Sequence, residues 1–421
     1  MTQAFEDMLY LFSCGSMNIK PVIAHDIDIY EIYKQAKLQS VWHIVILALN
    51  SLHNNGDINI ETKLFSDLKK QTLVAFATNI ERNLVIHQLI QKFEDNGLKY
   101  CILKGEALSY LYSNPNCRIS SDTDILLDFE HNDKAIEILI KFGFNVKPLN
   151  ATSHHIVATH PIAGIVELHL HLYDELFEDV WFDNRILNEE EYIVIKTDND
   201  KNIPTLGITD GLIFVALHYI KHFLSRGVGI RQLMDLLLYM KKYYNQIDWA
   251  RFNSLMEHLK YQKFIYNSIG IGIEYLNFNK KSLPKCTYNE KIMIEILSDI
   301  ENGGVFGQNE DERADFYMQY TKARFNTFKN EDYYAYTKKW RLPNLIRIIF
   351  PRIKNLMLEF EYVKKTPLLY PVAFFHRIVN FIINFAKYKK SLKSYINPGE
   401  NFKENDIVKQ RMNLIRELDM I

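Results

Sequence analysis

Asp122-Thr123-Asp124 runs without a break into Ile125-Leu126-Leu127, so two carboxylates one residue apart open an apolar run of the length of a buried strand. In a strand, residues i and i+2 point to the same face, roughly 6.5 to 7 Å apart along the chain. Burying acids on one face of a sheet without a compensating cation is costly, so such a strand constrains both the fold and what stands near it. The flanking sequence follows the same short-element rhythm. Residues 100–103 are a short apolar run ending at Lys104-Gly105, residues 106–112 read as a short helix, and residues 123–129 as a strand. Residues 133–142 form an amphipathic pattern closed by Gly143 in a C′ position. Residues 155–159 and 165–172 read as a hairpin around 161–164, and 192–196 as a further strand. Alternating strands and helices define a small α/β unit.

Helical periodicity brackets this unit. Ile29, Ile32, Tyr33 and Ala36, then Ile44 and Ala48, then Leu84, Ile86, Leu89, Ile90 and Phe93 fall at helical spacing, with breaks at Asn55-Gly56 and Asn96-Gly97. After Pro204 the helices return, at 210–224, 232–243 and 249–258. The expected architecture is α+β and mostly helical. It comprises an N-terminal helical region (1–97), the α/β core (98–204), a helical domain (205–330) and a basic helical C-terminal region (331–421).

With 421 residues, 48% apolar and 24% charged, the chain has a globular composition and not a disordered one. Cys14, Cys101, Cys117 and Cys286 form no CxxC pair, which argues against a zinc ribbon or a disulfide scaffold and fits a reducing cytoplasm. Glu6 and Asp7 near the start leave no basic region ahead of an apolar stretch, so no signal peptide is expected. The apolar run at 41–49 is shorter than the about 20 residues that span a bilayer. His376, Arg377, Asn380 and Asn384 interrupt residues 374–385, which suits an amphipathic helix. A soluble, cytoplasmic protein without a transmembrane segment is expected. The net charge of -1 conceals an asymmetry: residues 338–393 carry thirteen Lys/Arg against Glu359 and Glu361. This basic segment, with Trp340, Phe350 and Phe360 interleaved, reads first as a solvated helical face or as a dock on the acidic remainder. RNA or membrane binding through it is the secondary reading.

Asp-x-Asp alone says little, because Asp26-Ile-Asp28 and Asp198-Asn-Asp200 also match. The first sits just before a helix, where aspartates cap and oppose the macrodipole, and the second lies in a polar turn. Asp122 and Asp124 differ because a strand continues them, and two carboxylates at that spacing can share a pair of Mg²⁺ ions about 3.5–4 Å apart. Glu167 is the natural third ligand: it alternates with Val166 and Leu168, so it faces away from the apolar side of its strand. Gly105 serves either as a tight turn or as a point of close backbone approach to phosphates at a helix N-terminus. Lys104 would add a point charge for those phosphates and Arg118 a planar fork, although either type alone is more often a surface charge.

The run Leu103-Lys104-Gly105, then Arg118, Asp122 to Leu127 and Val166-Glu167-Leu168-His169 resembles the uncharacterised nucleotidyltransferase family of the polymerase-beta-like superfamily. Further likeness lies in Leu217-His218 with His222, in Arg231 to Asp235-Leu-Leu, in Ile349-Phe350-Pro351 and in Leu368 to Pro371, from about residue 27 to 390. The resemblance implies a mixed sheet presenting Asp122, Asp124 and Glu167 to two Mg²⁺ ions, or Mn²⁺ in their place. It places an NTP's triphosphate over Gly105, with Lys104, Arg118 and Ser121 binding nucleotide. An unidentified hydroxyl acceptor would attack the α-phosphorus in line and pyrophosphate would leave. One departure stands out: Glu106 follows Gly105 where the superfamily carries Gly or Ser, and a carboxylate there repels phosphates unless it turns away or binds metal. The alternative reading is therefore a non-catalytic nucleotidyltransferase-fold module, for nucleotide sensing or interaction.

His154, His155, His160, His169 and His171 crowd the hairpin. His169 and His171 share a face with Glu167; a zinc site is the lesser reading, and lining of the nucleotide or acceptor pocket the greater. His218-Tyr-Ile-Lys-His222 puts two imidazoles on one helical face but lacks the glutamate of a metalloprotease helix. The plain reading is a packed pair between helices, and the resemblance places His218 and His222 at the edge of the acceptor pocket. Arg231 and Asp235, spaced i,i+4, read as a helix-surface pair, or as further acceptor-pocket residues with His169. No Walker lysine motif, Rossmann fingerprint or nucleophile elbow occurs.

Overall fold

The computed structural model describes residues 1–127, 132–147, 155–169, 192–196, 202–225, 227–305, 316, 317, 320, 362, 366–383 and 406–421. Three helices open it: α1 (Gln3–Met17), α2 (Ile29–Leu38) and α3 (Trp42–Asn55). Their ends follow local chemistry. Asp28 accepts the backbone N–H groups of Tyr30 and Glu31, so Asp26-Ile-Asp28 is a capping segment, as its place before a helix requires. The other control, Asp198-Asn-Asp200, lies outside the described residues. Helix α4 (Thr62–Asp95) follows, 34 residues long. Its C-terminal half buries Ile86, Leu89, Ile90 and Phe93. Leu84, expected on the same face, is 54% exposed, because two residues at 100° each carry it to the far side from Ile86.

The sheet contains β1 (Tyr100–Ile102), β2 (Asp122–Leu127), β3 (Asn145–Val146), β4 (His155–His160) and β5 (Gly164–His169), in the order β1-β2-β5-β4-β3. Strands β2 and β5 run parallel and the other neighbours antiparallel, so the sheet is mixed. Helix α5 (Glu106–Ser109) is a single turn, shorter than the 106–112 expected, and α6 (Asn132–Lys141) crosses over after β2. Gly164 closes the β4–β5 turn at φ +70°, where an added Cβ would lie 3.0 Å from the Ser121 carbonyl oxygen. Ile102, Ile125, Leu127, Ile156, Val166 and Leu168 face α4 and α6 in one apolar core. Period-two alternation leaves Cys101, Leu103 and Leu126 on the opposite face, in a second core. Asp122, Asp124 and Glu167 stand on that second face.

The expected strand at 192–196, β6 (Tyr192–Lys196), forms a separate antiparallel pair with a strand that the sequence reading did not include, β7 (Asn202–Leu206), before the helices return. Pro204 sits opposite Val194, and a two-stranded pair has edges on which a missing N–H is tolerated. Thr205 donates its hydroxyl to the Ile102 carbonyl at 2.7 Å, tying β7 to β1.

Helices α7 (Ile208–Leu224), α8 (Ile230–Tyr243), α9 (Trp249–His258), α10 (Gln262–Tyr275) and α11 (Glu290–Gly303) follow. Helices α12 (Tyr370–Ile383) and α13 (Asp406–Glu417) end the described chain. Residues of α1–α3, α7–α11 and α13 share the larger core, among them Phe12, Leu49, Tyr219, Phe264 and Ile415. Amphipathic helices far apart in the chain thus bury their apolar faces on one another. The fold is α+β and mostly helical, around a small mixed sheet. Among the described residues no helix is long and apolar enough to cross a membrane. All four cysteines are free. Most of the basic segment 338–393 lies outside the described residues.

Candidate active site

Strand register brings the carboxylates together. Asp124 pairs with Glu167 across the parallel β2–β5 ladder, so the two stand side by side on one face, with Asp122 two residues back along β2. Asp124 forms the floor, 1% exposed, while the side chains of Asp122 and Glu167 remain 27% and 25% exposed. Burial alone would raise Asp122's proton affinity, but the Lys104 ammonium, a hydrogen bond from Ser120 and the charge of Arg231 hold its carboxyl well below the usual range. Burial pushes Glu167 up, and the neighbouring Asp124 charge adds to it.

Lys104 reaches between the aspartates. Its Nζ lies 3.2 Å from Asp122 Oδ2 and 3.2 Å from Asp124 Oδ1. Desolvation alone would favour the neutral amine, yet Asp124, Asp122 and Glu167 together keep Lys104 charged, its pKa raised. The same ammonium donates to His218 Nε2 at 2.9 Å, and His222 Nε2 is 3.1 Å from that nitrogen. Burial and the charge of Lys104 hold both imidazoles neutral, His218 well below its ordinary value and His222 down at about 4. His218 and His222 therefore adjoin the carboxylates by way of Lys104. His169, two residues beyond Glu167, places Nε2 at 2.9 Å from Asp124 Oδ1.

Gly105 has φ +72°, a conformation L side chains rarely adopt, and an added Cβ would meet the Asp122 carbonyl oxygen at 3.4 Å. The turn is therefore pressed against β2. The helix it opens is only one turn long, so its dipole is small. Glu106 turns away from this side: it is 7% exposed and pairs with His87 of α4.

Two expectations change in the folded chain, that for Arg118 and that for the Arg231–Asp235 pair. Arg118, read as a phosphate fork, is 5% exposed and committed elsewhere. Its Nε and Nη2 donate to the two oxygens of Asp235 at 2.8 Å each, and its Nη1 to the Gly105 carbonyl at 2.8 Å. It props the glycine turn from beneath. Asp235, read as a surface partner of Arg231 or an acceptor-pocket residue, is 3% exposed and also accepts the Tyr112 hydroxyl at 2.8 Å. Arg231 donates instead to the Ile119 carbonyl, on the segment leading into β2. Ser121 is exposed and uses its carbonyl to accept Ile165 N–H at 3.2 Å. The hydroxyl that reaches Asp122 Oδ1, at 2.8 Å, is that of Ser120.

Sequence reasoning missed Ser120, His87 and Arg82. Arg82 of α4 is 8% exposed and donates from Nη2 to Thr123 Oγ1 at 2.6 Å, behind the carboxylate face. A serine beside an Asp-x-Asp segment was a usable signal; a mid-helix arginine was not. Among the hairpin histidines, His160 accepts the Ile162 and Ala163 N–H groups at Nδ1 and caps the turn. His154 and His171 lie outside the described residues.

The residues fit a cation. Among the described residues Asp124 Oδ2, buried beside a second acid, has no hydrogen-bond partner. Asp124, Glu167 and His169 each offer one ligand atom, all within 4.8 Å of one another.

The chain belongs to the uncharacterised nucleotidyltransferase family, whose model matches residues 25–277. The match stops short of the C-terminal segments in which further likeness was read. Among solved structures, the crystal structure of the lincosamide antibiotic adenylyltransferase LnuA with lincomycin bound is similar over 37% of this chain and 94% of that one, at 16% identity and a TM-score of 0.28. No curated protein matches the chain.

Proposed function

We propose that this protein is a divalent-metal-dependent nucleotidyltransferase that moves an NMP from an NTP to a hydroxyl acceptor by in-line attack at the α-phosphate. The carrying observation is the ladder register that sets Glu167 beside Asp124, with Asp122 on the same face. Asp122, Asp124 and Glu167 would hold the Mg²⁺ or Mn²⁺ ions. Bound there, such ions neutralise phosphate charge and lower the pKa of an acceptor hydroxyl. Glu167, its proton affinity raised by burial and by Asp124, is suited to take the acceptor's proton at a carboxylate oxygen. Lys104 is the cation next to the Gly105 turn and the one this reading assigns to phosphate. Arg118 supports that turn through its carbonyl. Glu106, facing His87, does not oppose an incoming triphosphate.

One observation favours the second reading, a nucleotide-sensing or interaction module: Lys104 already balances both aspartates. A single experiment separates the two. Full-length protein is incubated with α-labelled NTPs, Mg²⁺ or Mn²⁺ and fractionated cell extract, and label transfer and pyrophosphate are measured. Transfer that disappears in Asp122→Asn and Asp124→Asn supports the enzyme. Nucleotide binding without transfer supports the module. Absence of both, unchanged by Asp122→Ala/Asp124→Ala, would overturn both readings.

A further inference from the structure

We propose that His169 is a metal ligand, so that Asp124, Glu167 and His169 form a mixed nitrogen and oxygen seat for a first-row divalent ion such as Mn²⁺, in preference to Mg²⁺. The seat lies within the centre assigned above to nucleotidyl transfer and rests on that reading for its purpose.

Its parts come from two strands. Glu167 and His169 share a face of β5 by period-two alternation, and the ladder sets Asp124 beside them. His169 Nε2 lies 2.9 Å from Asp124 Oδ1 and 3.8 Å from Glu167 Oε2. Ligands about 2.1 Å from a six-coordinate ion stand about 3 Å apart when adjacent and about 4.2 Å apart when opposed, so both spacings fall within one coordination shell. Asp124 is 1% and His169 8% exposed, and among the described residues Asp124 Oδ2 is buried without a hydrogen-bond partner. That oxygen is a second sign that the seat has room for a bond which Lys104, on Oδ1, does not supply. Asp122 differs: Ser120 and Lys104 already engage both of its oxygens, at 2.8 Å and 3.2 Å. At Asp124, by contrast, Lys104 and His169 both stand at Oδ1, and an ion arriving before nucleotide would take up Oδ2.

The donor set narrows which ion. Mg²⁺ prefers all-oxygen octahedra and dehydrates reluctantly, whereas first-row ions accept an imidazole nitrogen, Mn²⁺ least and Fe²⁺ and Zn²⁺ more strongly, so Mn²⁺ serves as the paramagnetic probe of the seat. The rival role for His169 is purely orienting, an Nε2–H donated to Asp124 with no bond to metal.

Mn²⁺ titrated into the full-length, nucleotide-free protein and followed by electron paramagnetic resonance tests this. Pulsed spectra should show nitrogen-14 coupling from one imidazole. That coupling should vanish in His169→Gln and persist in His218→Gln, and Mn²⁺ affinity should fall about tenfold or more in His169→Gln, with Mg²⁺ a weak competitor. Bound Mn²⁺ without nitrogen coupling, coupling that survives His169→Gln, or no Mn²⁺ binding at all overturns the proposal. The wild-type spectrum decides even if a variant fails to fold. Transfer activity with no nitrogen coupling removes the ligand and leaves nucleotidyl transfer standing. A nitrogen-coupled ion in a protein that transfers nothing does the reverse.

Discussion

The residue that most alters the picture of this site is Arg118. Its guanidinium closes a bidentate pair with Asp235 in the interior and carries the Gly105 carbonyl on its remaining arm. An i,i+4 surface pair contributes a few tenths of a kcal/mol, whereas removing one member of a buried pair strands a charge and costs about 3–5 kcal/mol. Arg118→Ala and Asp235→Ala should each lose a few kcal/mol of unfolding free energy in urea; a loss under about 1 kcal/mol would return the pair to the surface. Lys104 behaves differently because an ion can replace it. Without its ammonium, Asp122 and Asp124 face each other unbalanced. Lys104→Ala should melt at lower temperature than wild type in EDTA and recover on adding Mn²⁺ or Mg²⁺. A Tm indifferent to both substitution and ion would show that the lysine is not the resident counter-charge.

At the scale of elements, the strands were readable and the supports beneath them were not. Period-two alternation over Asp122–Leu127 and Gly164–His169 assigns each carboxylate to a face from local stereochemistry alone. The one-turn helix after Gly105 is held by contacts between distant segments, including Glu106 with His87, and no local pattern encodes these. Helix α3 offers a measurable case. His43 is 4% exposed and donates from Nε2 to the Cys117 carbonyl at 2.8 Å, fixing the segment that delivers Arg118. Burial lowers its pKa from 6.5 to about 4. The unfolded chain therefore takes up the proton first as pH falls. The stability linked to neutral His43 is complete above about pH 6.5 and is lost as pH drops through that value toward 4, up to about 3 kcal/mol in all. His43→Gln, which keeps a donor for Cys117 but does not titrate, should flatten the slope of unfolding free energy against pH in that window. An unchanged slope would assign the acid sensitivity to other groups.

Across the whole molecule, the two ends of the described chain meet around α7–α11. Asn277, just beyond α10, donates to Ser13 of α1 at 2.6 Å. Arg411 of α13 pairs with Asp299 of α11 at 2.5 Å and lies over the rings of Phe223 and Phe316, 5.4 Å and 4.3 Å from their centroids. Val408, Leu414 and Ile415 are buried beside them. Deleting residues 406–421 should therefore lower the Tm markedly and expose apolar surface to a dye such as ANS, whereas a removable tail would leave the melting curve unchanged. Composition could not reveal this docking. It marks residues 338–393 as basic but says nothing of a later amphipathic helix returning to the core.

What the sequence determined by itself is local. Alternation set the phase of the carboxylate strands, Asp28 marked a cap, and Gly105 marked a turn that a side chain would strain. Each follows from stereochemistry within a few residues. Tertiary structure decided which partner each charged group took. Arg118 went to Asp235, Lys104 to the aspartates, Glu106 to His87 and His169 to Asp124. Many opposite charges are available along this chain, and desolvation makes burial tolerable only for those that packing brings to hydrogen-bonding distance.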